Sequence, residues 1–337
     1  MGVDQKSYDL IIKFLNEVIK PLLPNANYAG TRFFSAGQNP IGSFEGNLSC
    51  SNIFQRSIYE FKGNNTFLHF TNLHALDQIL EKGWIRMTRL DELEKNELSF
   101  ASELFADLSL FPEKIEEQKK QVFALSATKS NEETLTDSFM WQEYGDKGHG
   151  IALEFSFTSL PTECYPFGEI QYGESAVKPM IELRKRVIDF KVNHTIQPYP
   201  LVGLFTELFS FHKRARFKNE KEVRMLFSLN DFFQNHNLFT LYDEISKGHI
   251  QKFVKIFLKG KHPLIGNHEL NNSVQEVITA FPQIEVKRII LGYEIPVDNK
   301  LQLVNYFVKE RKVSEEQIWE IDEDLIIKPL PKLDSFK

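Results

Sequence analysis

The chain has 337 residues, with 40 Lys and Arg against 46 Asp and Glu and a formal net charge of −6. Its 42% hydrophobic and 26% charged residues are ordinary for a globular protein and exclude disordered and collagen-like chains. The acidic balance disfavours a dedicated duplex-binding protein and leaves room only for a local basic groove. The 30 phenylalanines are read as core filling, because Phe buries a large area and offers no polar handle. Cys50 and Cys164 lie far apart and form no CxxC pair, which fits a reducing, cytoplasmic compartment better than a disulfide framework. No apolar run reaches about 18 residues, so no membrane span is expected.

Taken in chain order, Leu10, Ile11, Phe14, Leu15, Val18 and Ile19 have helical spacing, and Pro21 stops that helix. Residues 21–65 are rich in Asn, Gly, Ser and Pro and read as a long irregular stretch. Thr66–Phe70 is a short strand. Thr71-Asn72 then offers a helix N-cap ahead of Leu73, Leu76, Ile79 and Leu80, and Gly83 ends the helix. Strands are expected at Trp84–Arg89 and Val122–Thr128, with a helix near residues 97–110 between them. Asp137 caps a short helix through Met140 and Trp141. A Gly-containing turn then leads to a strand at Gly150–Phe157. Further on, the pattern predicts a strand within 165–172, helices at 176–193 and 200–214, and a strand at Glu222–Leu229. Helices near 232–258 and 271–281 precede a strand at Val286–Gly292, a helix at 298–310 and a last strand at Ile318–Ile321. This mixture predicts an α+β fold with a mixed, mostly antiparallel sheet. The organisation read from it is a helical and irregular N-terminal extension over 1–65, then a single domain over 66–337.

No phosphate loop, GxGxxG turn, HExxH or GxSxG elbow is present, and the nine histidines have no metal-ligand spacing with cysteine. Three segments carry candidate chemistry. In the first, His69 and Thr71 point to one face of a strand that runs into a helix N-terminus, where free N–H groups attract anions. The structural reading of that segment is a helix cap and a satisfied core histidine. In the second, Glu220 and Glu222 share a face if they lie on a strand edge, and a carboxylate in a cleft stabilises a cationic sugar centre or orients a nucleophile. The structural reading there is a solvated charged strand, with Arg224 paired to an acid. In the third, Trp141 and Tyr144 are three apart on one helical face and suit stacking on a flat ring or closing a core. The basic run Lys213–Lys218 just before the glutamates could receive phosphates.

Together these segments resemble the bacterial domain of unknown function family 2971. The matching residues run in the family's order: Phe67–Thr71 with Ile79–Arg86, Phe123–Ser126, Met140–Tyr144 with Gly148–Leu153, Lys218 with Glu220–Arg224, and Arg288–Gly292. The resemblance covers roughly residues 66–295. One departure is that Leu90–Glu97 keeps the acidic character but not the proline of the family's Asn-Asp-Pro-x-Glu motif. The resemblance implies a bacterial genome-defence or stress setting, with defence-system partner proteins. A weaker similarity, in the order His69 with Thr71, Ser126, Trp141 with Tyr144, then Glu220 and Glu222, is to ADP-ribosyltransferases. It implies NAD as the substrate and a protein or nucleic acid as the acceptor. By that similarity His69, with Thr71, Ser126 and Arg224, contributes to cofactor binding, and Trp141 or Tyr144 stacks on nicotinamide. Glu222 stabilises the oxocarbenium-like state and Glu220 orients the acceptor. Two alternatives stand beside it. One is a metal-dependent nuclease or nucleotide hydrolase using Asp91, Glu94, Glu97 and Glu222 around Mg²⁺. The other is a non-enzymatic sensor or partner-binding module.

Overall fold

A computed structural model describes residues 5–34, 43–49, 53–93, 116–117, 119–160, 165–194, 206–229, 242–246, 249–262 and 281–330. Helix α1 (Gln5–Phe14) runs on into a π-helical turn at Leu15–Ile19 that buries Leu15, Val18 and Ile19. A two-stranded antiparallel hairpin follows, β1 (Asn27–Phe34) and β2 (Ser43–Ser49), where the sequence pattern predicted irregular chain. Its Gly and Asn content hid the strands, because those residues are depleted in strands generally.

The larger sheet begins at β3 (Phe67–Thr71). It feeds α2 (Leu73–Lys82), which is capped as expected from both ends. The Asn72 side chain accepts from Ala75 N–H, and Gly83 adopts φ +73°, the left-handed conformation of a C-cap. After β4 (Trp84–Arg89) and β5 (Val122–Lys129) come two short helices, α3 (Glu132–Leu135) and α4 (Ser138–Glu143), each started by an Asn131 or Asp137 cap. Strand β6 (Ile151–Ser159) is buried on both faces along Ile151–Phe157. The remaining strands are β7 (Phe167–Glu169), β8 (Gln171–Tyr172), β9 (His212–Lys213), β10 (Glu222–Ser228), β11 (Tyr242–Ser246), β12 (His249–Leu258), β13 (Gln283–Leu291), β14 (Ile318–Ile321) and β15 (Ile327–Pro329). Helices α5 (Lys178–His194) and α6 (Val297–Arg311) are the longer helices of the later chain, with short 3₁₀ turns between elements.

The main sheet has the order β11-β12-β4-β5-β3-β6-β13-β14-β15, with β10 on β5 and β7 on β10. The α+β class and the mixed, mostly antiparallel sheet are as expected. A parallel β12–β13 pair also joins the strands from β12 round to β13 into a ring. The interior of that ring holds much of the phenylalanine, with Phe67, Phe123, Phe155, Phe157 and Phe227 packed together. Phe67 alone lies 5.1–5.7 Å, centroid to centroid, from the rings of Phe61, Phe155, Phe157 and Phe167. Burying one such ring contributes about 1.5–3 kcal/mol. On the outer face, Val122, Ala124 and Leu226 pack against the α1 and π-turn residues and against α5. Residues of the first 65 positions therefore share one hydrophobic core with the later chain.

One helical expectation holds in part and one fails. Within 200–214, the described residues are helical over 206–209 and then form β9; within 232–258, β11 and β12 stand among the described residues in place of a helix. The apolar positions Phe253, Val254, Ile256, Phe257 and Leu258 fit either period over so short a run, and pairing with β4 decides between them. The helix expected near 97–110 and the one expected near 271–281 lie outside the described residues, apart from Phe281 itself.

Candidate functional site

Strand β10 brings the chemistry to one place. Its alternation sends Val223, Met225 and Phe227 into the ring interior and leaves Glu222, Arg224 and Leu226 on the outer face. The register of β10 on β5 sets Arg224 opposite Ser126 and Glu222 opposite Thr128. Glu220 is not on the strand. It ends a short 3₁₀ turn over Ala215–Glu220, and Lys221 in the left-handed region (φ +46°) reverses the chain before Glu222. The two carboxylates therefore converge through a turn, not through strand alternation as the spacing suggested. The Glu222 N–H donates to the Tyr172 hydroxyl at 2.8 Å and pins this corner.

Lys213, on β9, stands between the carboxylates. Its Nζ lies 2.6 Å from Glu220 Oε2 and 2.7 Å from Glu222 Oε2, and all three side chains are buried. Arg224, 1% exposed, holds the other oxygen of Glu222 at 2.7 Å and donates to the Ser210 carbonyl at 2.5 Å. Ser126 lines the cavity beside Glu222. Burial resists charging Glu222, but the Arg224 and Lys213 charges prevail and hold its pKa down to about 2. Glu220 behaves oppositely. Burial raises its pKa above the usual carboxylate range, although Lys213 and the Tyr144 hydroxyl, 2.5 Å from Oε1, oppose this. Two carboxylates two residues apart thus differ in how readily they carry a proton.

These groups line a cavity of about 210 Å³. His69, Ser126, Tyr144, Glu220, Glu222 and Arg224, all singled out from the sequence, meet there. Burial lowers the pKa of His69, which favours the neutral ring. Tyr144 lines the cavity and is 42% exposed, with its hydroxyl on Glu220 and its ring edge-on to Phe139 at 6.4 Å. Trp141 is not at the cavity. It is fully buried, its Nε1–H donates to the Leu135 carbonyl at 2.7 Å, and it packs edge-on against Phe70. The structural reading of Trp141 therefore replaces the stacking one. Thr71 ends β3 opposite Ile151 and does not line the cavity, and Asn72 rather than Thr71 caps α2.

Sequence reasoning missed Lys213 as a site residue, having placed it in a phosphate-receiving run. It also missed Tyr172, Thr128 and Met140. The signal for Lys213 was a lysine seven residues before a Glu-x-Glu pair, which no local period connects. The Gly148–Gly150 motif has a packing role. A Cβ on Gly150 would lie 2.3 Å from the Thr71 carbonyl, and one on Gly292 would lie 2.0 Å from the Gly148 carbonyl. Backbones of β3, β6 and β13 meet too closely there for any side chain.

The metal-centred arrangement gains no geometry. Asp91 and Glu92 are bound by Arg89 at 2.5 and 3.3 Å, Glu222 by Arg224 and Lys213, and Glu94 and Glu97 lie outside the described residues. Among the described residues no three His, Cys, Asp or Glu side chains converge as ligands. No described helix is long and apolar enough to cross a membrane. A second, open groove of about 580 Å³ beside α6 holds His149 and Tyr306 but no carboxylate, so the smaller cavity is the candidate site.

The family described as "Protein of unknown function (DUF2971)" matches residues 140–225. Over that stretch the chain is similar to it. The matched segment runs from α4 into β10 and carries Tyr144, Lys213, Glu220, Glu222 and Arg224, which is most of the ionisable lining of the cavity. No curated protein and no solved structure matches the chain.

Proposed function

We propose that the cavity binds the nicotinamide–ribose end of NAD and breaks its N-glycosidic bond, passing ADP-ribose to water, a protein or a nucleic acid. The observation that carries this reading is the pairing of an ionised carboxylate, Glu222, with a more readily protonated one, Glu220, in one cavity lined by a partly exposed tyrosine. Environments that push two carboxyl groups apart assign them different roles. Tyr144 stacks on the nicotinamide ring, and His69 and Ser126 bond ribose hydroxyls. The C1′–N bond breaks and nicotinamide leaves with the bonding pair as the neutral base. Positive charge then develops on the ribose and is met by Glu222. Lys213 is shared, so its shift towards Glu220 frees an oxygen of Glu222 for the sugar. The acceptor's oxygen or nitrogen attacks C1′, and Glu220 takes its proton.

The test is release of labelled nicotinamide from NAD by the purified chain, with and without cell lysate, beside Glu222→Gln. Release by wild type and a loss of at least about a hundredfold in the variant is expected, the scale of removing one electrostatic stabiliser of a transition state. Unchanged release in Glu222→Gln, or none from wild type under either condition, refutes the reading.

A further inference from the structure

The cavity accounts for Lys213 but not for the basic residues that follow it. Lys213 is committed to Glu220 and Glu222, at 2.6 and 2.7 Å, and Lys221 to Glu133 at 2.7 Å. Arg216 and Lys218 differ. Both are exposed, and among the described residues neither has a carboxylate within ion-pair reach. Exposed lysines and arginines are ordinary on a surface. What sets these two apart is the element that carries them, the 3₁₀ turn Ala215–Glu220, whose last residue lines the cavity.

Side chains three apart eclipse in a 3₁₀ turn. Phe217 and Glu220 therefore share one face, and Arg216 and Lys218 fall on either side of it. Contacts fix that face towards the cavity: Glu220 bonds Lys213 and the Tyr144 hydroxyl, and the Phe217 ring lies 5.4 Å from Lys213 Nζ. The same ring is 4.6 Å from the Arg216 guanidinium. One ring thus links the ammonium inside the cavity to a guanidinium at its rim. A guanidinium already held on a ring loses less freedom when it takes a ligand oxygen. The volume of about 210 Å³ is below the roughly 300 Å³ at which pockets enclosing a drug-sized ligand begin, so a larger ligand leaves part of itself at the rim. Two cations suit the two adjacent charges of a diphosphate. A nucleic-acid strand engages more phosphates than two cations meet, and the net charge of −6 opposes it.

We propose that Arg216 and Lys218 form a diphosphate subsite at the cavity rim, holding the phosphates of a dinucleotide whose nicotinamide–ribose end lies inside. The inference rests on the NAD reading for what enters the cavity and goes beyond it in assigning the phosphates to this turn. The experiment is isothermal titration calorimetry of the full chain with ADP-ribose, which carries the diphosphate, and with nicotinamide riboside, which lacks it. The wild type, Arg216→Gln/Lys218→Gln and the charge-keeping Arg216→Lys/Lys218→Arg are compared. Neither position belongs to the core, so both variants are expected to fold, which circular dichroism checks. Neutralisation is expected to weaken ADP-ribose about tenfold or more at low salt, the scale of a lost charge-assisted hydrogen bond, and less at high salt. The charge-keeping variant is expected to stay within about threefold of wild type, and the riboside to behave alike in all three proteins. No ADP-ribose binding by wild type, or equal affinity in wild type and the neutralised variant, overturns the proposal. So does a charge-keeping variant as weak as the neutralised one, or equal weakening of the riboside. Failure of the NAD reading is distinguishable: without nicotinamide release, a persisting ADP-ribose difference supports the subsite and removes only the bond cleavage.

Discussion

Two charged regions share the outer face of one sheet and resolve their charge differently. Around β10, the ammonium of Lys213 and the guanidinium of Arg224 each meet a carboxylate within 2.7 Å, and all the partners are nearly inaccessible to water. On β4 and β12, three cations crowd two stacked aromatic rings, and like charges face each other across the strands. The first arrangement is self-consistent without a partner. Removing one member leaves an uncompensated buried charge, the costly case for ion pairs. The second sets Arg86 and Lys255 across from each other on neighbouring strands and close to aromatic rings. Density of charged residues alone therefore says little about what a region does. What separates the two is burial and the sign of the neighbours.

The largest test of this contrast is Glu222→Ala. It strands Arg224 and Lys213 in the interior and is expected to lower the free energy of unfolding by about 3 kcal/mol or more in urea denaturation. Glu220→Gln, at the carboxyl that takes a proton more readily, is expected to cost under about 1 kcal/mol. Equal costs for the two would break the distinction between the carboxylates.

The acid limb follows from the same group. The folded pKa of Glu222 lies near 2, below its ordinary value of 4.5. Its contribution is fully present above that ordinary value and is lost as pH falls through about 2. Melting temperature is therefore expected to fall between those limits, and less steeply in Glu222→Ala. Part of the slope survives in the variant, because Glu154 is also depressed: burial opposes it, but the Arg288 hydrogen bond holds it down. A parallel pH profile for both proteins would refute the role given to Glu222.

The aromatic pair sharpens the comparison further. Trp141→Phe leaves the buried Leu135 carbonyl without its donor and is expected to cost about 1–3 kcal/mol of stability. Tyr144→Leu, at a ring 42% exposed, is expected to change stability by about 1 kcal/mol or less while weakening whatever stacks on that ring in the cavity. Calorimetry of both variants, with ligand titration, separates the two roles. The smallest effect belongs to the other region. Lys82→Gln removes the charge that presses on Lys255 and is expected to raise stability by under about 0.5 kcal/mol at low salt, with the gain vanishing in high salt as screening removes the repulsion.

Much of this site was legible in the residues. Asn72, Asp137 and Gly83 act where their local chemistry says, since caps depend on a few adjacent backbone groups. The period-two pattern of β10 placed Val223, Met225 and Phe227 on one face, and the ordered set His69, Ser126, Tyr144, Glu220, Glu222 and Arg224 meets in one cavity. Tertiary structure alone decided the rest. Trp141 turns away from the cavity because it packs against Phe70 and donates to a carbonyl six residues back, while Tyr144, at the C-cap just past the helix, lines it, although three-residue spacing predicts one shared helical face. Lys213 joins the glutamates because β9 pairs with β8, a long-range contact that no local period encodes. The segment over 249–258 is a strand because β4 offers its open hydrogen bonds, and a short apolar run satisfies a helix or a strand equally well until such a neighbour arrives.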